Sequence, residues 1–579
     1  MKASETKPWL KYYTEESLAK TYVERTITDY LLWRNSDRMD MTALNYFDHE
    51  ISLGELFEHT YETANAFASL GIKENDIVLV CSAATPEIVY TFYGLSLLGA
   101  ASYMLDPRYS VKGIRDVITE VDARIVLTLD VAYDKMIEAI KGTNVEKVIV
   151  LSPADSLVGI KKFAYLKFKN PRKKNLPANF CHWSEFIAAG KDYKTEYLHD
   201  CADHCVVIVR TGGTTGVSKS VMLSHNNINN VSFQFHKRSS AEAGKDKFLD
   251  VMPPFIAYGL GYGVHLPLAC AMTSVLIPQL EPEKMAGLIL KYKPQQIAAT
   301  PGVMKILVRD KRLKNADLSF FKNICCGGDA MPVPDEERIN DFFRAHNAKH
   351  DLAKGYGLSE VSAVSTACLD GVSKVGSVGV PLPDYNIAAF DPETGEETEI
   401  GEIGEICIHG PTTMIGYYKM PEETAHVLRT HKDGLVWVHT GDLGLVDEDG
   451  FIFIKGRIKR MFMDHIGFKI FPSAIEDILS RCEDVFAVSV VGTTDHRYLQ
   501  GSTPHVFVVL TPECTRSKEE VEKELRALCE KELAEYMQPS FYTFLDALPQ
   551  TPIGKVDFRK LEAQAEAEHS EEQAVASEV

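Results

Sequence analysis

The sequence predicts an α/β protein: a large N-terminal domain of helix-covered, parallel-type sheets, a small β subdomain, and a small α+β C-terminal domain. Between residues 52 and 151, short apolar runs alternate with helical segments, as in parallel strands joined by helices. From about residue 385, short β segments separated by Gly and Pro turns replace that pattern. The chain of 579 residues is also too long for one domain, which favours two or three.

Composition and charge narrow the classes of function. The chain has 62 basic and 81 acidic residues, and its net charge of −19 argues against nucleic acid as a partner. No apolar run reaches membrane-spanning length, and the first residues lack the apolar region of a signal peptide. Twelve cysteines without a metal-ligand spacing indicate reduced thiols. We therefore expect a cytoplasmic protein.

The first part of the chain supplies several of the predicted parallel strands. Ser52 and Glu55 form a capping box that begins an amphipathic helix, and Gly71 ends this helix. Strands are predicted at three apolar runs, residues 77–81, 123–128 and 147–151. Because helices separate these strands, we expect a parallel sheet that is covered on both faces.

Residues 157–174 break this pattern with a local excess of positive charge. Seven Lys and Arg residues are interleaved with the apolar side chains of Phe163, Tyr165, Leu166 and Phe168. One interpretation is a patch that contacts an anionic membrane surface, where each basic residue adds about 1 kcal/mol. The alternative is a solvated surface loop with a few anchoring aromatic residues.

A glycine- and hydroxyl-rich turn at residues 211–220 indicates a phosphate site. It follows an apolar run at 205–209 that reads as a buried strand, and residues 221–226 can begin a helix. Glycines let backbone N–H groups converge on an anion, and the hydroxyl groups and Lys219 add donors and positive charge. The spacing is not that of a Walker A motif. An ordinary polar connection is the alternative.

Two further features suit a ligand site. Small and aromatic residues at 253–263 are typical of the wall of an apolar tunnel, although close helix packing explains them equally well. Glycine turns follow predicted strands at Gly327-Gly328 and at residues 354–360, and ligands in open α/β folds bind at such strand ends. The adjacent Cys325 and Cys326 are expected in the core.

The C-terminal part begins after a basic joint at residues 456–460. Its helix at 518–535 is strongly amphipathic, whereas residues 565–579 are rich in Glu and Ala and have nothing to bury. We predict an N-terminal domain, a hinge, a C-terminal domain and an acidic, disordered tail, at residues 1–456, 457–462, 463–562 and 563–579.

Several motifs occur in an order that makes them specific together. They are the loop at 211–219, Gly327-Gly328, Tyr356-Gly357-Leu358-Ser359-Glu360, Trp437-Val438-His439-Thr440-Gly441-Asp442, Gly456-Arg457-Ile458-Lys459, Gly467, and Pro549-Gln550-Thr551-Pro552-Ile553-Gly554-Lys555. In this order they resemble the adenylate-forming superfamily of acyl-CoA synthetases, peptide-synthetase adenylation domains and luciferases. The resemblance covers about residues 50 to 562. It implies two helix-covered sheets and a mobile C-terminal domain.

The resemblance implies which residues bind ATP. The β- and γ-phosphates are expected on the loop residues Thr211, Gly212, Gly213, Thr214, Thr215, Gly216 and Lys219. A second group is expected around the adenine: Gly328, Asp329, Ala330, Tyr356 and Gly357. Asp442 is expected to accept both ribose hydroxyls, and Arg457 to reach the ribose or a phosphate.

The same resemblance implies three catalytic residues. Ser359 is expected to hydrogen-bond the α-phosphate, and Glu360 to ligate Mg²⁺, a hard cation that takes oxygen ligands. Lys555 is expected to bridge the substrate carboxylate and the α-phosphate, where negative charge develops. Attack of the carboxylate on the α-phosphate then gives an acyl-adenylate and pyrophosphate without a protein nucleophile.

In the second half-reaction that the resemblance implies, a thiol attacks the acyl carbon and AMP leaves. The C-terminal domain rotates about the hinge at Lys459, which removes Lys555 and brings the Gly467 loop to the site. Glycine there lets the pantetheine of CoA pass close to the backbone. CoA is the simpler acceptor, because no carrier module follows Arg559. A free-standing ligase that loads an acyl carrier protein is the alternative.

The expected acid follows from Phe255, Ile256, Tyr258 and Gly259. Amino-acid-activating relatives have Asp where this chain has Ile256, and an ammonium group buried against Ile would be costly. The small neighbouring residues leave room for an apolar body. A medium- or long-chain fatty acid is therefore the first choice, and an aryl or alicyclic acid the second.

The phosphate loop departs from the usual family pattern at Gly212 and Ser220. Gly212 replaces a hydroxyl donor, and Ser218-Lys219-Ser220 stands where Pro-Lys-Gly is common. These departures support a competing interpretation, a non-catalytic adenylate-binding relative. Four intact residues favour the enzyme: Glu360, Asp442, Arg457 and Lys555.

Overall fold

The structure is a computed structural model that describes residues 1–169, 176–211, 218–238, 241–279, 281–368, 371–494, 501–551 and 555–577. Parts of several sequence predictions lie outside these residues, among them Pro552-Ile553-Gly554 of the motif that ends at Lys555. The loop residues Gly212, Gly213, Thr214, Thr215 and Gly216 are outside them, as are residues 170–174 of the basic segment. In the described chain, no helix is long and apolar enough to cross a membrane.

The first large sheet has a parallel centre and antiparallel edges. Six neighbouring strands, from Ala353–Tyr356 to Thr42–Tyr46, run parallel. Across the sheet, the strands lie in the order Val380–Pro381, Thr366–Ala367, Ala353–Tyr356, Asn323–Cys326, Gln296–Ala299, Lys247–Asp250, Thr273–Leu276, Thr42–Tyr46 and His49–Ser52.

The second large sheet repeats this design. Its order is Gly416–Tyr417, Ser220–Ser224, Cys205–Arg210, Ala101–Leu105, Ile77–Cys81, Ile125–Leu129, Lys147–Leu151 and Phe180–His182. The last six strands are parallel, and the first two are antiparallel to their neighbours. Val78 and Val80 face one hydrophobic core, while Leu79 and Cys81 face another. Both faces of this sheet are therefore buried, as the apolar strands predict.

Helices cover the two sheets, and several begin where the sequence places a cap. The helix Leu53–Ser69 carries the predicted capping box, in which Ser52 and Glu55 satisfy each other's backbone N–H groups. The N-terminal part contains the helices Ala3–Thr6, Glu15–Ala19, Ile27–Asn35, Leu53–Ser69, Pro86–Ser96, Val111–Val121, Tyr133–Ala139, Gly159–Ala164, Trp183–Gly190, His225–His236, Leu266–Ala269, Met285–Tyr292, Pro301–Leu307 and Val333–Ala345, with π-helical turns at Tyr165–Lys169 and Tyr258–His265.

The predicted β subdomain is a five-stranded antiparallel sheet. Its long strand Val436–Val446 carries the Thr-Gly-Asp motif and pairs with the strand that leads to the basic joint. The strands are Asn386–Phe390, Gly404–His409, Val436–Val446, Leu428–Thr430 and Ile452–Arg457, and the helix Pro421–Val427 lies beside them. A short turn at Ile458–Arg460 follows, at the predicted hinge.

The C-terminal part is an α+β unit. It contains the hairpin Phe462–Met463 and Lys469–Ile470, a sheet of Val485–Thr494, Ser502–Leu510 and Phe541–Phe544, and the helices Pro472–Leu479, Lys518–Glu532 and Phe558–Ser577. The last helix contradicts the predicted disorder from residue 563. Leu561 and Ala565 are one helical turn apart, and both are buried against Val491 and Phe507. The tail therefore does have apolar surface to bury, and the prediction is wrong for its first half.

Polar contacts join the C-terminal unit to the first large sheet's helices. The ring of Phe486 lies 5.2 Å from the Nζ atom of Lys305 and 5.5 Å from the guanidinium carbon of Arg309. Arg338 donates a hydrogen bond of 2.7 Å to the carbonyl oxygen of Ser480. These contacts hold the C-terminal unit beside the carboxyl ends of the parallel strands.

Candidate active site

Two neighbouring parallel strands end at the glycine turns that the sequence singles out. Asn323–Cys326 leads to Gly327-Gly328, and Ala353–Tyr356 leads to the turn that carries Ser359 and Glu360. A Cβ atom at Gly357 would lie 2.1 Å from the carbonyl oxygen of Ala363, so only glycine fits there. The two predicted glycine turns therefore lie side by side at the carboxyl edge of the first sheet.

Asp442 is fixed by two partners at this edge. Its Oδ2 atom accepts a hydrogen bond of 2.6 Å from the Tyr356 hydroxyl, and its Oδ1 atom lies 3.0 Å from Nε of Arg457. The side chain is buried, with 4% of the residue exposed. Burial raises the pKa of the Asp442 carboxyl, whereas Arg457 and Tyr356 act in the opposite direction. The three side chains predicted to bind the nucleoside are therefore in contact.

Lys555 of the C-terminal part reaches the same place. Its backbone N–H donates to Oγ1 of Thr551 at 3.2 Å, and its carbonyl accepts from the N–H of Thr551 at 2.7 Å, which closes a turn. Burial lowers the pKa of Lys555, and the charge of Arg457 lowers it further, while the carboxylates raise it: Asp329, Asp442 and Glu360. The structure thus brings the predicted catalytic lysine to the predicted nucleotide site.

Glu360 is held by a residue that the sequence does not single out. The Tyr417 hydroxyl donates a hydrogen bond of 2.7 Å to Oε1 of Glu360. The Nζ atom of Lys219 lies 4.7 Å from the centre of the Tyr417 ring and forms an ion pair with Glu423. Tyr417 therefore links the predicted metal ligand to the lysine of the predicted phosphate loop.

The base of the phosphate loop is closed by hydrogen bonds between its two ends. The N–H of Thr211 donates to the carbonyl of Lys219 at 2.9 Å, and the N–H of Lys219 donates to Oγ1 of Thr211 at 3.1 Å. The chain then continues as the strand Ser220–Ser224, antiparallel to Cys205–Arg210. The predicted strand–loop–helix order is wrong here, because the helix begins only at His225. The apolar residues that we expected to start the helix instead form a strand that pairs with Cys205–Arg210.

Ser220, one of the irregular positions, has a structural explanation. It is fully buried, and its Oγ atom lies 2.7 Å from the Tyr103 hydroxyl and 2.6 Å from Oε1 of Glu120. Glu120 in turn lies 3.6 Å from Arg210. The hydroxyl thus completes a buried polar network that glycine could not complete.

We expect the substitution Ser220→Gly to destabilise the protein, although it restores the common family residue. It removes a buried hydrogen-bond partner of Tyr103 and Glu120, and a group left unsatisfied in this way costs about 1–3 kcal/mol. The midpoint of urea unfolding measures the effect, and Ser319→Gly, on the surface, is the control. Equal midpoints for the two variants would contradict this account.

Of the predicted substrate residues, Tyr258 borders the Gly327-Gly328 turn. A Cβ atom on Gly328 would lie 3.9 Å from the Tyr258 ring, and the Tyr258 hydroxyl lies 3.5 Å from Sγ of Cys325. Phe255 is buried, and Ile256 is half-buried against two apolar cores. A Cβ atom on Gly259 would collide with the backbone of Pro253. Close packing is therefore confirmed at Gly259, and the tunnel wall stays a prediction, with Tyr258 beside the glycine turn.

Asp250 ends the strand that leads into this run. It is fully buried, its Oδ2 atom has no hydrogen-bond partner among the described residues, and burial raises its pKa to about 8. The folded state therefore binds more protons than the unfolded state between about pH 4 and 8. The contribution of Asp250 to the free energy of unfolding is therefore highest at low pH, and it falls as the pH rises through that window.

Asp250→Asn is expected to remove this fall, because the amide cannot ionise. The free energy of unfolding of the wild type, from urea unfolding curves, should decline relative to that of the variant from pH 5 to pH 7.5, by up to about 1.4 kcal/mol per pH unit. Asp449→Asn, at an exposed carboxylate, provides the control. Parallel pH profiles for the wild type and Asp250→Asn would show that Asp250 is ionised in the folded protein.

Glu405 and His439 form a support behind Asp442 that sequence patterns did not reveal. Oε1 of Glu405 accepts a hydrogen bond of 2.9 Å from the N–H of Gly441, and Oε2 lies 2.8 Å from Nδ1 of His439. Asp442 donates its own N–H to Oγ1 of Thr440 at 3.0 Å. In the sequence, His439 is visible beside the Thr-Gly-Asp motif, but its partner Glu405 lies on another strand, so no local spacing connects the two.

The remaining predicted residues lie at the edge of this group or away from it. Asp329 and Ala330 follow the Gly328 turn, and burial raises the pKa of Asp329 while Lys555 lowers it. Lys459 is exposed in the hinge turn. Gly467 lies on the turn of the hairpin Phe462–Met463 and Lys469–Ile470, with open space where a side chain would be. The structure therefore presents Lys555, and not Gly467, to the site.

The chain is similar to known proteins over most of its length. The family model described as AMP-binding enzyme matches residues 31–418, and the AMP-binding enzyme C-terminal domain matches residues 474–555. A long-chain-fatty-acid–CoA ligase of Bacillus subtilis (strain 168) is 30% identical over 97% of this chain and 99% of its own length. A probable 4-coumarate–CoA ligase of Dictyostelium discoideum is 29% identical over 84% of this chain and 85% of its own.

Solved structures agree in fold. The anthranilate CoA ligase AuaEII in complex with anthranoyl-AMP superposes with a TM-score of 0.81 at 20% identity, covering 96% of this chain and 99% of that one. ATP-bound MatB from Rhodopseudomonas palustris gives a TM-score of 0.79 at 23% identity, covering 93% and 98%. The whole architecture, including the small C-terminal unit, is therefore shared.

Proposed function

The chain belongs to the AMP-binding enzyme family as an AMP-forming acyl-CoA ligase, and we propose that it activates a medium- or long-chain fatty acid. The acid attacks the α-phosphate of ATP, pyrophosphate leaves, and CoA then takes the acyl group while AMP leaves. One observation carries the proposal of adenylation at this site. The charge of Lys555 interacts with that of Asp442, whose carboxylate is held by Tyr356 and Arg457 at the carboxyl edge of the first sheet.

Lys555 is proposed to neutralise the charge that develops between two anions. The substrate carboxylate and the α-phosphate repel each other as they approach, and a fixed ammonium group lowers that barrier. The burial that lowers the pKa of Lys555 also removes competing water, which strengthens its interaction with an anion. The chemistry then needs positioning and charge stabilisation only.

Asp442 and Glu360 are proposed to position ATP from two sides. Asp442, already oriented by Tyr356 and Arg457, offers its oxygens to the ribose hydroxyls. The carboxylate of Glu360 fits Mg²⁺ in donor chemistry, and the metal ion when bound supplies positive charge beside the phosphates. Tyr417 orients Glu360 for this role, and Ser359 lies in the same turn to donate to the α-phosphate.

The fatty-acid assignment rests on the apolar character of the pocket wall. Ile256 offers no charge to pair with a substrate amine, and its neighbour Phe255 is buried. The Bacillus relative is named as a long-chain-fatty-acid ligase, which supports this choice. The Dictyostelium relative is named as a 4-coumarate ligase, so an aryl acid is the second candidate.

CoA is proposed as the acyl acceptor, with a free acyl carrier protein as the alternative. Both deliver a pantetheine thiol, and the exposed turn at Gly467 would admit either one. We further propose that the enzyme acts in the cytoplasm, where CoA and ATP are available to it. Fluorescent tagging with fractionation tests the location.

Carboxylate-dependent exchange of labelled pyrophosphate into ATP tests the proposal. We expect exchange with fatty acids of medium and long chain, weaker exchange with 4-coumarate or benzoate, and none with α-amino acids. Product analysis with CoA and with a carrier protein then identifies the acceptor. Absence of exchange across the whole panel, in protein shown to be folded, would instead favour an adenylate-binding role.

A further inference from the structure

Residues 157–168 form an exposed surface, here called the basic apolar face. It consists of the helix Gly159–Ala164 and the π-helical turn that follows. Its apolar side chains point into solvent: Ile160 is 84% exposed, Phe168 72%, Phe163 61% and Val158 49%. Folding normally buries such side chains, and a contiguous group of them marks an interaction surface.

The face is held in place by contacts with the core of the protein. Leu157 is buried beneath it, and Tyr165 packs against the large N-terminal core and hydrogen-bonds Asp130 at 3.4 Å. The Nζ atom of Lys161 donates to the carbonyl oxygen of Phe47 at 2.6 Å. The exposure of the four apolar residues therefore belongs to a built surface rather than to a fraying segment.

Neighbouring segments extend the apolar area. Val131, 64% exposed, lies in the short turn Asp130–Ala132, whose Asp130 contacts Tyr165. Phe47, 36% exposed, lies beside Lys161. Phe47 and Val131, which come from two other parts of the chain, therefore border the basic apolar face.

The charge of the face is opposite to that of the protein. Residues 157–168 contain three lysines and no acidic residue, in a chain with a net charge of −19. The nearby Asp48 is paired with Lys161 and Lys291, and these contacts lower its pKa to about 2. Lys167 lies 5.3 Å from the ring centres of both Phe163 and Phe168, so its ammonium group borders the apolar surface.

We propose that the basic apolar face docks this ligase on an anionic lipid bilayer. Ile160, Phe163 and Phe168 enter the boundary between headgroups and acyl chains, while Lys162 and Lys167 contact lipid phosphates. Protruding aromatic residues bordered by lysines fit such a boundary, because the apolar part and the charge are satisfied at different depths. Docking itself does not depend on the substrate. That docking lets the enzyme capture acid dissolved in the bilayer rests on the proposed function.

Vesicle sedimentation tests the docking. The wild type should bind vesicles of phosphatidylglycerol and phosphatidylcholine and bind pure phosphatidylcholine weakly, with affinity falling as salt rises. The triple variant Ile160→Ser/Phe163→Ser/Phe168→Ser should lose about tenfold or more of the partitioning. The double variant Lys162→Glu/Lys167→Glu should lose the preference for anionic vesicles. A matched control, Ile403→Ser/Val436→Ser, changes exposed apolar residues of the β subdomain and should bind as the wild type does.

Three results would overturn the proposal. They are wild-type protein that does not bind anionic vesicles, triple-variant protein that binds them equally well, and a control variant that loses binding to the same extent. Sedimentation velocity without lipid examines the other occupant, a second copy of the chain. A dimer that only the triple variant abolishes would assign the face to self-association instead.

Activity separates this proposal from the proposed function. Exchange with a short, water-soluble acid should be equal in all variants, which also shows that they fold. Exchange with a long-chain acid supplied in anionic vesicles should fall several-fold in the triple variant and also fall in the double lysine variant, but not in the Ile403→Ser/Val436→Ser control. If no fatty acid supports exchange in any variant while vesicle binding still depends on the face, the proposed substrate is wrong and the docking surface remains.

Discussion

Lys555→Ala should reduce carboxylate-dependent ATP–pyrophosphate exchange by about a hundred- to a thousandfold. The variant loses the cation that we propose to lie between the substrate carboxylate and the α-phosphate. Transfer of the acyl group from preformed acyl-adenylate to CoA should stay near the wild-type rate if, as the hinge prediction has it, the domain rotation removes Lys555 before that step. Separate assays of the two half-reactions measure the split.

The matched control for this variant is Lys560→Ala. Lys560 lies one helical turn beyond the site and is 66% exposed, with only a loose pair to Asp557 at 3.6 Å. It should leave both half-reactions unchanged. Equal losses of both half-reactions in Lys555→Ala would refute its assignment to adenylation and point to a folding defect or to a single shared step.

Asp442→Asn should raise the KM for ATP by about ten- to a hundredfold, the value of losing a hydrogen bond to a charged group. The amide has the shape of the carboxylate, so the protein should fold. However, it presents only one acceptor oxygen to Tyr356 and the ribose, and it leaves Arg457 without its ion-pair partner. Steady-state kinetics at saturating acid measure the change.

Two further variants test whether the rise in the KM for ATP comes from the carboxylate of Asp442. Tyr356→Phe removes only the hydroxyl that orients Asp442 and should give a smaller rise in the KM for ATP. Asp449→Asn changes an exposed carboxylate beyond the end of the same strand and should have no effect. A KM for ATP that is unchanged in Asp442→Asn would remove Asp442 from the nucleotide site.

The sequence was sufficient where a residue's role depends on local order along the chain. Alternating apolar runs identify the parallel strands, since each strand must be buried on both faces. Asp442 and Lys555 were identified through motifs whose order is specific, and the structure places both at one edge. The interaction between their charges, which joins a β strand to the C-terminal unit, was implied by the resemblance and by no spacing in the sequence.

The sequence was insufficient where the partner is distant in the chain. Tyr417 and Glu360 are 57 residues apart, and no local pattern connects a tyrosine to a particular carboxylate. The sequence predicts the start of a helix where the structure has the strand Ser220–Ser224. A short apolar run is compatible with a helix and with a strand, and here its pairing with another strand determines the outcome. The last helix was missed because Leu561 and Ala565 find their apolar surface on another strand.

The polar contacts of Phe486 and Arg338 have a thermodynamic consequence for turnover. They involve few side chains, so they contribute little free energy to the arrangement that presents Lys555. Any ligand that binds this arrangement preferentially then stabilises it by RT ln(1 + [L]/Kd), which raises its population by mass action. ATP and the acid would favour the docked population, and CoA the rotated one. On this view, the bound substrates determine the order of the two half-reactions. No strong contact between the C-terminal unit and the rest of the described chain has to be broken in each cycle.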